Sequence, residues 1–111
     1  ALTAAGARII AVPRGPGGVD PAAALAALGA AGLTRVLVEG GGALAASLLR
    51  AGLVDRLAWF HAPGVIGGDG LAGVAALGLA GLDSMPRFVR LAVSAHGPDL
   101  LSLFRHVPER A

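Results

Sequence analysis

The residues of this chain best placed to do chemistry are Glu39-Gly40-Gly41-Gly42-Ala43-Leu44. A short apolar run, Val36-Leu37-Val38, leads into one carboxylate, then three glycines, then a helix-forming stretch. In an open α/β sheet, ligands bind in the crevice outside the carboxyl ends of the strands. Glycines there let a ligand approach the backbone, and the first N–H groups of the next helix are free to hold phosphate. The pattern is not G-x-G-x-x-G, and no lysine follows, so neither the dinucleotide fingerprint nor the P-loop fits. Two readings stay open: a nucleotide site, or a glycine turn that only lets the helix pack closely. Glu39 stands where an apolar residue would continue a buried strand, and a carboxylate there must meet water or a hydrogen-bond donor. It is either a solvated carboxylate capping the next helix or an acceptor for substrate hydroxyls and amines.

The other polar residues are less specific. His61, His96 and His106 show no metal-ligand spacing and no carboxylate or thiol partner. His61, beside Trp59 and Phe60, reads as a structural histidine, and His96 and His106 as solvated. Ser47, Ser84, Ser94 and Ser102 lack the G-x-S-x-G context of an activated nucleophile. Asp69, within Gly67-Gly68-Asp69-Gly70, has ordinary turn chemistry. Arg87 and Arg90 read as solubilising charges at a strand.

Composition bounds the rest. A chain of 111 residues is expected to make one domain. Charged residues make up only 14%, against about 25% in ordinary domains, so much of the outer face is apolar, which fits a partner surface, a missing piece of fold, or simply an alanine-rich composition. All 9 basic residues are arginine, and they are scattered, which leaves no clustered basic footprint for nucleic acid. The absence of cysteine excludes disulfides and thiolate metal sites, and leans to a cytoplasmic setting. The longest uncharged stretches, residues 21–34 and 70–82, fall short of the ~18 apolar residues of a membrane span. The first residue is Ala1, and no charged leader precedes an apolar run; we expect an excised or processed piece, not a secreted precursor.

The elements that must position the glycines follow from local signals. Residues 8–12 (Arg-Ile-Ile-Ala-Val) read as a buried strand, and residues 13–18 as a Pro/Gly loop. Asp20 is an N-cap with Pro21 at the first helical position, and Gly32 a stop. Residues 35–39 form the second strand, and a helix runs from about Gly42 to Ala51, with Leu44 and Leu48 on its buried face and Gly52 closing it. Residues 56–62 make a third strand, residues 63–70 a loop, and residues 71–82 stay ambiguous because Gly73, Gly78 and Gly81 weaken any helix. Residues 88–94 and 100–105 alternate around the turn His96-Gly97-Pro98-Asp99, an antiparallel hairpin. Residues 108–111 are expected to fray. The expectation is an α/β fold, mainly a parallel sheet with crossover helices and a C-terminal antiparallel hairpin.

The ordered set Val38-Glu39-Gly40-Gly41-Gly42-Ala43-Leu44, then Leu49-x-Ala51-Gly52-Leu53-Val54-Asp55-Arg56-Leu57, then Ala62-Pro63-Gly64-Val65-Ile66-Gly67-Gly68, and last Gly97-Pro98-Asp99-Leu100-Leu101, resembles a known family. It is similar to the reductase domain of the bifunctional riboflavin-biosynthesis deaminase/reductase, from about residue 6 to 107. The resemblance implies a dihydrofolate-reductase-like fold and NADPH-dependent reduction of 5-amino-6-(5-phosphoribosylamino)uracil to its ribitylamino product. It implies that Gly40, Gly41 and Gly42 lie against the cofactor, with a cis bond between Gly40 and Gly41. Ala43 and Leu44 would begin the helix facing the pyrophosphate, and Glu39 would contact substrate. It further implies a homodimer and a fused deaminase domain. Family members carry additional strands before the matched region, with a substrate-binding lysine; this chain has no lysine. The expectation is therefore the C-terminal portion of a reductase domain, unable to complete the reaction alone. The competing readings are a non-catalytic dimerisation or binding module, and another dihydrofolate-reductase-like NADPH reductase.

Overall fold

The computed structural model describes residues 2–107, so the frayed end expected at residues 108–111 lies outside the described residues. The chain divides into two compact units between Glu39 and Gly40.

In the first unit, a minimal hairpin pairs β1 (Arg14–Gly15) with β2 (Gly18–Val19), where the sequence reads as a loop. Helix α1 (Pro21–Ala30) follows. The Asp20 side chain accepts a hydrogen bond from the Ala23 N–H at 2.9 Å, which satisfies one donor the first turn leaves free. The helix ends where expected. The Gly32 N–H donates to the Gly29 carbonyl, and the Leu33 N–H to the Leu28 carbonyl, with Gly32 at φ 91°. That is the paired closure of a Schellman motif, which needs a left-handed residue and so selects glycine. Ile10, Val12 and Val19 face Ala24, Ala27 and Leu28 of α1 across a shallow apolar groove.

The second unit carries α2 (Gly42–Arg50), β3 (Arg56–His61), β4 (Phe88–His96) and β5 (Asp99–His106). Helix α2 repeats the same closure: Gly52 at φ 65° donates to the Leu49 carbonyl and Leu53 to the Leu48 carbonyl. Its buried residues are Ala46 and Leu48, while Leu44, expected on the same face, is 48% exposed. Leu44 belongs to the first turn, ahead of the residues that are covered.

The strands form one antiparallel sheet of order β3-β5-β4. The hairpin β4–β5 matches its alternating sequence, with a register shift between Arg90 and Ala92. Strand β3 pairs antiparallel with β5, from Arg56 opposite Arg105 to His61 opposite Leu100. Ser102, opposite Trp59, is buried. Arg90 lies over the Phe104 ring at 5.6 Å, and Arg87 donates to the Leu82 carbonyl, so neither is only a solubilising charge. His106, expected to be solvated, is half-buried and packs edge-on against Phe88 at 5.4 Å.

The mainly parallel sheet of the sequence reading is not what the described residues form: both of their sheets are antiparallel. Residues 8–12 and 35–39 have strand composition but take no strand. Ile9, Val36 and Leu37 are exposed. A strand exists only when a neighbour accepts its hydrogen bonds, and β-branched composition does not supply one.

Candidate functional site

The three glycines have three different reasons to be glycine. Gly41 caps α2 with φ 74° and ψ 125°, a conformation that side chains disfavour. Gly42 is fixed by packing, since a Cβ there would stand 2.5 Å from the Ala72 carbonyl oxygen and 3.2 Å from the Ala75 nitrogen. Gly40 has neither constraint: a Cβ would meet nothing within 4 Å, and its φ is not left-handed. Open space therefore lies over Gly40 and Gly41, and a close backbone neighbour over Gly42. The close packing that one reading of the glycine run required is found at Gly42, and the backbone of Gly40 and Gly41 is left open. The bond between Gly40 and Gly41 is trans, which corrects the cis bond expected from resemblance; the chain turns here on the positive φ of Gly41 instead.

Gly41 provides no side chain to cap α2, and its carbonyl accepts the Ala45 N–H at 3.0 Å, the first bond of the helix. The N–H groups of Gly42, Ala43 and Leu44 precede that bond and point out of the helix start. No acidic residue stands in the first turn. An uncapped helix start with no carboxylate in its first turn favours an anion, because the exposed N–H groups carry partial positive charge. Ala43 and Leu44 are exposed beside it. Glu39 is exposed and closes the first unit, joined to Gly40 through the peptide bond.

A segment that the sequence left ambiguous proves to matter. Residues 72–76 form a strap, with the Ala75 N–H donating to the Gly42 carbonyl at 3.0 Å. Gly73 lies against Trp59, such that a Cβ on it would stand 3.5 Å from Cη2 of the indole. Arg50, at the far end of α2, donates from Nη1 to the Ala76 carbonyl at 2.8 Å. Only the unexplained third glycine could have pointed to this contact in the sequence.

Among the described residues, the remaining polar groups gather into no catalytic cluster. Ser94 Oγ and His96 Nε2 are 2.9 Å apart on an exposed strand, and His61 is exposed. Asp69 lies in a single turn of 3-10 helix, Gly67–Asp69, in keeping with a turn role. Among the described residues, no group of three His, Cys, Asp or Glu side chains could hold a metal ion. No helix among them is long and apolar enough to cross a membrane.

A family profile described as the RibD C-terminal domain matches residues 3–101, nearly the whole chain. The chain belongs to the RibD C-terminal domain family. It is also 33% identical over 93 residues to the riboflavin biosynthesis protein RibD of Escherichia coli (strain K12). That match covers 84% of this chain and 25% of the relative, so the chain spans about a quarter of that protein's length. The glycine turn at the start of α2 lies inside the matched region.

Proposed function

We propose that this chain supplies the cofactor-binding part of a riboflavin-biosynthesis reductase domain of dihydrofolate-reductase-like fold. The observation that carries the reading is the open backbone over Gly40 and Gly41 at the uncapped start of α2. NADPH is the cofactor, and 5-amino-6-(5-phosphoribosylamino)uracil the substrate, reduced to its ribitylamino product. When bound, the nicotinamide supplies the hydride. The residues of this chain bind and orient: Gly40 and Gly41 admit the cofactor against the backbone, and the N–H groups of Gly42, Ala43 and Leu44 face its pyrophosphate. Glu39, next in the chain, accepts hydrogen bonds from the substrate. The residues present fit such a group, because the helix start has no side-chain cap and its first turn carries no carboxylate.

In this reading residues 1–111 are a single domain, the C-terminal part of a reductase domain that acts in the cytoplasm as a homodimer and is joined in the parent protein to a deaminase. The homodimer is supported by exposed apolar residues on one side of the three-stranded sheet: Phe60 at 58%, Val89 at 46% and Leu103 at 39%. The test is titration of the 111-residue chain with NADPH, followed by Trp59 fluorescence, with NADH in parallel and mass measured by sedimentation. Saturable binding that prefers NADPH supports the reading. Absence of binding by a chain with native circular dichroism overturns it and leaves a binding module.

A further inference from the structure

The strap over the first turn of α2 is held from both ends of that helix. At the start, the Gly42 carbonyl takes the Ala75 N–H, and the missing Cβ of Gly42 leaves room for the Ala72 carbonyl. At the end, the exposed Arg50 reaches Ala76, 26 positions along the chain. Helical side chains lean toward the N-terminus, so the long Arg50 stem runs back along α2 toward the strap. The strap also rests on Trp59 of β3, through Gly73. Arg50 is thus the side chain that ties the end of α2 to the segment walling its beginning.

We propose that Arg50 is a positioning residue for the glycine turn. Its guanidinium latches the Ala76 carbonyl and so holds residues 72–76 against Gly42, which keeps the first turn of α2 in the shape that leaves its N–H groups free for phosphate. Arginine suits the task because a charged donor makes a stronger bond to a carbonyl than a neutral one. The same charge in the last turn favours the helix dipole, but that effect falls off within one turn and does not reach the strap. The role in cofactor binding rests on the function proposed above; the latch itself rests only on the contacts.

The test compares Arg50→Met, which keeps the stem and removes the donor, with Arg50→Lys, which keeps charge and donor. Hydrogen exchange at the Ala75 amide and the near-ultraviolet signal of Trp59 read the strap, and NADPH titration reads the turn. In Arg50→Met, Ala75 is expected to exchange about fivefold faster or more, the change that loss of one net hydrogen bond carries. The Trp59 signal shifts and NADPH binding weakens by a similar factor, while Arg50→Lys recovers all three. Unchanged Ala75 exchange and an unchanged Trp59 signal in Arg50→Met overturn the latch. Faster exchange with unaltered NADPH affinity overturns the positioning role. Failure of the unsubstituted chain to bind NADPH rejects the proposed function, and is told apart because it precedes any substitution.

Discussion

The Ala72 carbonyl oxygen stands 2.5 Å from the place a Cβ would occupy on Gly42. No ordinary Cβ contact is that short, and the atom met is backbone, which cannot swing aside as a flexible side chain would. Gly42→Ala is therefore expected to displace the strap and destabilise the unit by about 1–3 kcal/mol, the usual cost of overpacking, less a few tenths recovered from helix propensity. Urea denaturation followed by Trp59 fluorescence measures it. A variant as stable as the parent would show that residues 72–76 yield freely.

The neighbouring glycines separate folding from binding. Gly41 holds φ 74°, so Gly41→Ala is strained whatever space surrounds it, and should cost about 1–3 kcal/mol. Loss of cofactor binding in that variant would be ambiguous. Gly40→Ala meets nothing within 4 Å and needs no left-handed backbone, so its stability should stay within about 0.5 kcal/mol of the parent. Its NADPH affinity is expected to fall about tenfold or more, or about 1.4 kcal/mol, if the cofactor lies on this backbone. Unaltered affinity in a correctly folded Gly40→Ala would move the cofactor elsewhere.

Glu39→Gln keeps shape and removes charge. In a protein carrying the complete reductase domain, it should leave NADPH affinity nearly unchanged. Substrate affinity should weaken by about 1.5–3 kcal/mol, the worth of a hydrogen bond to a charged group. Calorimetric titration with substrate and with cofactor distinguishes the two; equal substrate binding would remove Glu39 from the site.

The first unit offers a test of purely local origin. Asp20 accepts the Ala23 N–H at 2.9 Å at the start of α1, so Asp20→Ala should cost about 1 kcal/mol of helix stability. Asp20→Asn should recover most of it, since the amide oxygen also caps. Amide exchange within α1 is the readout, and equal protection in all three proteins would deny the cap its role.

The parts legible in the sequence were those written in neighbouring residues. Asp20 and Pro21 marked the start of α1, and Gly32 and Gly52 the ends of both helices. The His96-Gly97-Pro98-Asp99 turn marked the hairpin, because caps and turns act over four or five positions. The ordered motifs around the glycines were enough to point to the family that the chain belongs to. The pairing of β3 was not legible. Its apolar run would suit a parallel or an antiparallel neighbour, and nothing in residues 56–61 names β5 as the partner. Residues 8–12 and 35–39 show the converse, strand composition without a strand.

In the glycine run, neighbouring residues alone call for a turn before α2 and leave the first helical turn free of lysine and acidic residues, with Glu39 just ahead of it. Which glycine serves the turn, which the packing and which the open face was decided by tertiary structure alone. Gly42 needs its missing Cβ because Ala72 arrives from thirty positions along the chain, and Arg50 finds its acceptor on Ala76, 26 positions away. Local propensity acts through bonds between near neighbours, whereas a close approach exists only once distant segments have been packed together.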